Sequence, residues 1–220
     1  MTDQIKPSQT IEDYLSLLYV IERDNEPIVG ARLAELLEVT PPTVTNTLKR
    51  MVRDGLITMD ETGTHLTEVG WSNAKMVVRK HMLMEWMVER MLPWSRLHAE
   101  AHNLEHAISE DAENALDDEL GHPQTCPHGN PLPGYDDIVK DWLPLTQIDP
   151  GKKVTIRRIH ELAEQNSQLM DYLEKSGILI GQEVTLKEIL AFNHTLTIIV
   201  KEKEVILGFT VARYIFVEPE

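Results

Sequence analysis

Apolar residues recur along the chain with two different periods, and the change between them divides it. From Ile11 to Glu22, the residues Ile11, Tyr14, Leu15, Leu18, Tyr19 and Ile21 repeat at three- and four-residue spacing. That predicts an amphipathic helix with Thr10 as its N-cap, and Asp13 just inside its first turn complements the helix dipole. After Pro27-Ile28-Val29-Gly30 a short helix is expected over Ala31–Leu37, with Leu33, Ala34 and Leu37 inward. Pro41 and Pro42 then open a third helix, because a proline N–H would be unpaired in a first turn anyway. Val44, Leu48, Met51 and Val52 form its apolar stripe, and Gly55 closes it as a left-handed cap. Leu56–Met59 and His65–Thr67 flank Asp60-Glu61-Thr62-Gly63-Thr64 as a β-hairpin. Helix, short helix, turn, helix and hairpin is the order of a winged helix-turn-helix.

A longer helix is predicted over Gly70–Met91, where Trp71, Ala74, Val77, Val78, Met82, Leu83, Trp86, Met87 and Met91 make a wide apolar surface. Its Met and Trp side chains exceed what a small internal core needs, which points to a helix-mediated homodimer. His81 and Glu85 stand four apart, on one face. Beyond Pro93-Trp94-Ser95, Leu97, Ala101, Leu104 and Ile108 predict another helix. His98, His102, Glu105 and His106 fall on an adjacent arc about 100° wide. Such an arc is either a solvated polar face or a set of nitrogen and oxygen donors for a divalent metal. Ser109 is placed to cap a further helix.

Past residue 120 the helical period fades. His122 to Gly134 is a proline- and glycine-rich loop. Its Cys126 and His128 are two donors without a second pair, so a structural loop is the preferred reading. Asp136–Trp142 is read as helical and Leu143–Lys153 as a linker. Short β-rich segments follow at Val154–Ile159, Glu183–Ile189, Leu196–Val200, Val205–Phe209 and Tyr214–Val217. One helix, carrying Leu162, Leu169, Met170, Leu173 and Leu179, interrupts them, and the whole has the size of an SH3-like β-barrel. The expected fold is mainly α with β: a winged helix-turn-helix over 1–72, a helical metal-binding and dimerisation domain over 73–143, and the SH3-like domain over 144–220.

The formal charge of −15 argues against broad nonspecific binding to nucleic acid. Locally the sign reverses, since Lys49, Arg50 and Arg53 are the charged residues between Thr40 and Arg53. The exposed face of the third helix carries Thr43, Thr45, Asn46, Lys49 and Arg50, flanked by Thr40, Pro42 and Arg53. Hydroxyls, an amide and cations of this kind contact base edges and phosphates, and threonines are costly as filler near a helix start. Cys126 is the one cysteine among 220 residues, which suits a reducing cytoplasm. No apolar run of membrane-spanning length occurs, and Met1–Pro7 has no apolar core of a secretory signal.

Taken together these residues resemble the diphtheria-toxin-repressor family of metal-dependent regulators, which includes the iron-dependent and manganese-transport regulators. The resemblance rests on Thr40-Pro41-Pro42-Thr43-Val44-Thr45-Asn46-Thr47 with Met51-Val52-Arg53-Asp54-Gly55-Leu56. It rests also on Arg79-Lys80-His81 with Glu85, the His98–His106 run, and Gly129-Asn130-Pro131-Leu132-Pro133-Gly134. It implies a repressor, active as a homodimer on palindromic operator DNA, with Mn(II) or Fe(II) as corepressor and metal-homeostasis genes as targets. It implies a primary metal site of Asp13, His102, Glu105 and His106. An ancillary site would comprise His81, Glu85 and His98 with ligands from the barrel, where Asn166 is the expected amide donor. Leu169, at the other expected position, cannot bind, and Glu164 or Gln168 is its substitute. The chain departs from both branches at His102, where iron-type members have cysteine and manganese-type members glutamate. Asp13 is manganese-like, and Ser16 stands where manganese-type members often have glutamate. Zn(II) and Co(II) are expected to bind in vitro, because raw affinity rises along the Irving–Williams series. Two other classes fit parts of the pattern: a dinuclear metal enzyme in a helical bundle, and a winged-helix regulator sensing an organic ligand. The chain lacks a His-Glu-x-x-His motif and paired Glu-x-x-His motifs, and the organic-ligand reading leaves the His and carboxylate cluster unused.

Overall fold

A computed structural model describes residues 7–24, 26–61 and 63–219. Most of the segment read for a secretory signal, Met1–Lys6, and Thr62 of the expected hairpin turn lie outside the described residues. The chain forms two compact units, residues 1–80 and 81–220.

In the first unit α1 (Gln9–Arg23) packs Ile11, Tyr14, Leu15, Leu18, Tyr19 and Ile21 inward, as the apolar spacing requires. The helix starts two residues earlier than expected: Ser8, not Thr10, is the N-cap. α2 (Gly30–Leu36) buries Leu33 and Ala34. α3 (Pro41–Arg53) starts on its two prolines, and the Thr40 hydroxyl accepts the Thr43 N–H at 3.4 Å. Gly55, at φ +72°, turns the chain out of the helix where a side chain would be strained. The stripe of α3 is Val44, Leu48 and Met51, whereas Val52, expected inward, is 41% exposed. β1 (Ile57–Asp60) and β2 (Gly63–Leu66) pair antiparallel as the wing. The Glu22 carboxylate fastens that wing to the end of α1, accepting the Leu66 N–H at 2.9 Å and lying 3.1 Å from His65 Nδ1.

α4 (Glu68–Glu89) runs into the second unit, where Met82, Leu83, Met84 and Val88 are buried. Pro93 and a short 3-10 turn (Trp94–Arg96) lead into α5 (Leu97–Leu104). The expected helix through Ile108 stops at Leu104, so Glu105 and His106 lie in the turn that follows. α6 (Glu110–Leu120) is capped by Ser109, whose hydroxyl accepts the Ala112 N–H at 3.3 Å. Asp136–Val139 is a single 3-10 turn rather than a longer helix.

The expected linker is structural. β3 (Leu143–Pro144) pairs with β8 (Ile215–Pro219), and Leu145 and Ile148 enter the core behind it. β4 (Lys153–Ile159), β5 (Glu183–Leu190), β6 (Thr195–Val200) and β7 (Lys203–Gly208) complete a six-stranded antiparallel sheet ordered β3-β8-β4-β5-β6-β7. Two helices, α7 (Glu161–Glu164) and α8 (Ser167–Lys175), stand where one was expected, and α9 (Phe209–Ala212) precedes β8. The strand alternation buries Val154 and Ile156, Val184 and Leu186, and Leu196, Ile198 and Val200 against Met170 and Leu173 of α8. β4 bulges between Ile156 and Arg158, so Ile159 returns to the core while Arg158 pairs with Phe216 on the other face, where it is nonetheless 2% exposed.

Candidate metal centre and nucleic-acid interface

All eight residues expected to face DNA are exposed: Thr40, Pro42, Thr43, Thr45, Asn46, Lys49, Arg50 and Arg53. Several are already oriented. Thr40 and Thr43 share a hydroxyl hydrogen bond at 2.9 Å, and the Thr45 hydroxyl donates to Pro41 O at 3.1 Å. Arg50 and Arg53 flank Asp54 at 3.6 and 2.9 Å. Their guanidinium groups are half exposed or more, so these pairs contribute little to stability and leave the cations available to phosphate.

The second unit brings together three residues of the expected primary site. Glu105 is buried, and its carboxylate lies 3.2 Å from His102 Nδ1 and 3.5 Å from His106 Nε2 through Oε1. Its other oxygen, Oε2, is 2.5 Å from His81 Nδ1. Burial raises the Glu105 pKa, but the imidazoles of His102 and His81 outweigh it and bring the carboxyl down to about 2. A permanently ionised carboxylate among imidazoles is a cation site in outline. Asp13, the fourth expected ligand, is on α1 of the first unit.

His81, Glu85 and His98 also come together, as the i, i+4 spacing on α4 and the start of α5 require. His81 Nε2 lies 3.2 Å from Glu85 Oε1 and 2.9 Å from His98 Nδ1. The barrel supplies Glu164, at the end of α7, whose Oε2 is 3.0 Å from His98 Nδ1. Asn166 does not join them: it is exposed, and its side chain accepts the Leu169 N–H at 3.0 Å as the N-cap of α8. Asn166 is thus corrected to a capping residue. Glu164, two positions earlier, faces the cluster because α7 ends there.

Two further residues were read from the sequence as parts of a structural loop. The Cys126-Pro127-His128 segment turns His128 Nδ1 to within 3.4 Å of both Glu85 Oε1 and Glu164 Oε2. Cys126 falls in the same group, with Glu85, His128 and Glu164. The loop is held on both sides. Trp86 and Trp94 donate their indole N–H groups to Thr125 O and Pro127 O, at 2.8 and 3.1 Å. Ile159 N–H donates to His128 O at 2.9 Å. Gly129 seals the contact, since a Cβ there would lie 1.9 Å from Arg157 O. The only local sign was a cysteine and a histidine two apart, and their carboxylate partners are remote in sequence.

The electrostatics of this pocket are those of donors arranged for a cation. Glu85, His128, Cys126 and Glu164 are all buried. Burial raises the Glu85 carboxyl, yet His128, His81 and His98 hold it well below its ordinary value. Burial lowers the His128 pKa, but Glu164 and Glu85 raise it to about 9. Burial pushes the Cys126 thiol up, with the carboxylates adding to the effect. Glu85 Oε2 and His128 Nδ1 are buried without a hydrogen-bond partner. Leaving such atoms bare costs roughly 1–3 kcal/mol each. His128 Nε2 lies 3.0 Å from Trp94 O and donates to it, so the proton that titrates is on Nδ1, the nitrogen turned to the carboxylates and the one a cation would take. Donor separations of 2.9–3.4 Å match adjacent positions around an ion with bonds of about 2.1 Å, which are about 3 Å apart. The residues fit a divalent cation.

A helix-turn-helix module with an exposed polar and basic face, in a chain with a buried imidazole–carboxylate cage, defines the class of metal-responsive DNA-binding regulators. The family model for the N-terminal DNA binding domain of the iron dependent repressor matches residues 6–63. Its metal binding and dimerisation domain matches residues 67–134, and the FeoA domain, the SH3-like module, matches residues 143–219. The iron-dependent repressor IdeR of Mycobacterium tuberculosis is 35% identical over 192 residues, covering 81% of this chain and 84% of that one. The diphtheria toxin repressor of Corynebacterium diphtheriae is 32% identical over 189 residues, covering 80% and 84%. Among solved structures, a manganese-dependent transcriptional repressor in complex with manganese superposes with a TM-score of 0.85 at 26% identity, covering 96% of this chain and all of that one. The manganese regulator SloR gives 0.81 at 29%, covering 96% and 98%. The chain belongs to the iron-dependent repressor family. It is a metal-dependent transcriptional repressor that acts on operator DNA as a homodimer, and not an enzyme. Among the described residues no helix is long and apolar enough to cross a membrane.

Proposed function

We propose that this repressor is activated in the cytoplasm by Mn(II) or Fe(II), held at two centres per chain, and then closes on a palindromic operator of metal-homeostasis genes. The observation that carries the reading is the buried cage of His81, Glu85, His98, His128 and Glu164, with two polar atoms left without partners. Imidazole and carboxylate donors suit Mn(II) and Fe(II), and Zn(II) and Co(II) bind the same donors in vitro. The relatives divide in the same way: curated ones are called iron-dependent, and solved ones include manganese regulators and a ScaR structure with bound Zn(II).

The primary centre comprises Asp13, His102, Glu105 and His106, and it is the switch. An ion shared between Asp13 on α1 and the three ligands after α4 fixes the DNA-reading module relative to the dimerisation helices. That selects the spacing at which two α3 helices enter successive major grooves, about 34 Å apart on a palindrome. Metal favours the DNA-competent arrangement, so by linkage DNA tightens metal. Thr43, Thr45 and Asn46 read base edges, while Thr40, Pro42, Lys49, Arg50 and Arg53 set the backbone contacts.

The ancillary centre comprises His81, Glu85 and His98 from the helices, Glu164 from the FeoA domain, and His128 from the intervening loop with Cys126 beside it. It staples the FeoA domain to the dimerisation helices. A mobility-shift titration with Mn(II), Fe(II) and Zn(II), reversed by chelator, tests the reading. Metal-stimulated operator binding supports it, and binding indifferent to metal and chelator refutes it.

A further inference from the structure

The pocket's barrel-side carboxylate is held from behind by a chain of buried polar groups that no ligand assignment includes. Asn130 is fully buried, and its amide has a single workable orientation. Oδ1 accepts the Arg158 Nε–H at 2.5 Å. Nδ2 donates to Ile159 O at 2.7 Å and to Glu164 Oε1, with Cys126 Sγ further off at 3.9 Å. Arg158, 2% exposed, is anchored in turn by Glu161 Oε2 at 2.9 Å and lies over the Phe216 ring at 4.9 Å. The two oxygens of Glu164 are therefore divided. Oε1 is bound to Asn130, and Oε2 faces His98 and His128 at 3.0 and 3.4 Å.

We infer that Asn130, backed by Arg158, is a positioning residue for the ancillary metal centre: it holds Glu164 so that only Oε2 is presented to the ion. The inference rests on the reading of Glu164 as a ligand. A free carboxylate swings and can bind an ion through either or both oxygens. One whose second oxygen is bound to a buried amide donor binds through one oxygen from a fixed direction. The guanidinium polarises the amide that it donates to, strengthening the N–H···Oε1 bond. Asn130 also sits on the loop that carries Cys126 and His128, so one side chain sets the placement of that loop relative to α7. A buried arginine beside the β4 bulge fits this role, because an apolar residue there would leave the amide carbonyl bare.

The test is a double-mutant cycle read as Mn(II) affinity, from isotherms of free Mn(II) followed by its EPR signal on the full chain. Asn130→Ala is expected to weaken the buried centre by about 10–100-fold, the range for partners that orient a ligand. In a Glu164→Gln background the same substitution is expected to change the affinity by less than about twofold, since the group it positions is gone. Equal losses in the two backgrounds mean that Asn130 only supports the fold, and they overturn the inference, as does an unchanged affinity in Asn130→Ala alone. Unchanged affinity in Glu164→Gln alone removes the ligand reading and the inference with it. Arg158→Gln keeps the amide and serves if Asn130→Ala does not fold, with a smaller loss that again vanishes in Glu164→Gln.

Discussion

His102, Glu105 and His106 come from one short stretch at the end of α5, and His102 is half exposed. Glu85, His98, Cys126, His128 and Glu164 come from α4, α5, a braced loop and α7, and all but His98 are fully buried. The first set is local and partly open, and its remaining proposed ligand, Asp13, belongs to the other compact unit. The second is non-local, dry and assembled within one unit. On the proposed reading, a centre with one ligand outside its local set gains most from the ion and suits a switch. A centre whose donors are already fixed by Trp86, Trp94, Gly129 and Asn130 suits a staple, occupied early and released late.

This contrast gives a graded set of expectations. The largest effect falls on the switch: Asp13→Ala or Glu105→Gln leaves a folded dimer by chromatography but removes metal-stimulated operator binding, a loss of at least about 100-fold in a mobility shift. Undiminished metal response in both variants breaks the comparison. Next, Glu85→Gln or His128→Ala lowers Mn(II) affinity at the staple roughly 100-fold and removes the metal-induced rise in Tm, while operator binding at saturating metal falls much less. If the two sets of variants behave alike, the division into switch and staple is wrong.

A smaller effect follows from His128. Its folded pKa is raised to about 9 from the ordinary 6.5. The metal-free protein therefore holds this stabilisation in full below pH 6.5 and loses it as pH rises through about 9. A bound cation displaces the proton, so Mn(II) affinity rises with pH across that window by up to about tenfold per unit for each proton released. Tm measured with and without Mn(II) from pH 6.5 to 9 is expected to diverge, and a constant gap contradicts the assignment. Smallest of all, Thr43→Ala or Asn46→Ala costs about 1–3 kcal/mol against the cognate operator and little on random DNA. An unchanged ratio means that these side chains position the helix and do not read bases.

The same contrast explains what the sequence disclosed. Whatever depends on neighbours three or four positions apart was legible: the inward faces of α1 and α3, the His81 and Glu85 pair, and the His98–His106 arc. So were the alternating strands of the barrel, with ends shifted by a residue or two. The misses are long-range. Helix α5 ends at Leu104 although the apolar period runs on to Ile108. Val52 obeys the helical spacing but is exposed at the end of α3. Leu143 and Pro144 look like a linker because only their pairing with β8 makes them a strand. Glu164 rather than Asn166 reaches the cage because α7 and α8 are separate helices. His128 and Cys126 had no visible partners, because Glu85 and Glu164 flank them only after the loop is pressed onto β4. Arg158 is buried on the face of β4 away from Ile156 and Ile159 because a bulge shifts the alternation between Ile156 and Arg158, and no local spacing announces that.

Operator binding by full-length protein, measured across a Mn(II) titration and then with excess chelator, tests the central claim most directly when wild type, Glu105→Gln and Glu85→Gln are run together. Mn(II) is expected to bring on tight binding in wild type, and chelator to abolish it. Glu105→Gln is expected to stay unresponsive and Glu85→Gln to respond at higher Mn(II). Wild-type binding of equal strength in Mn(II) and in chelator would rule out metal activation.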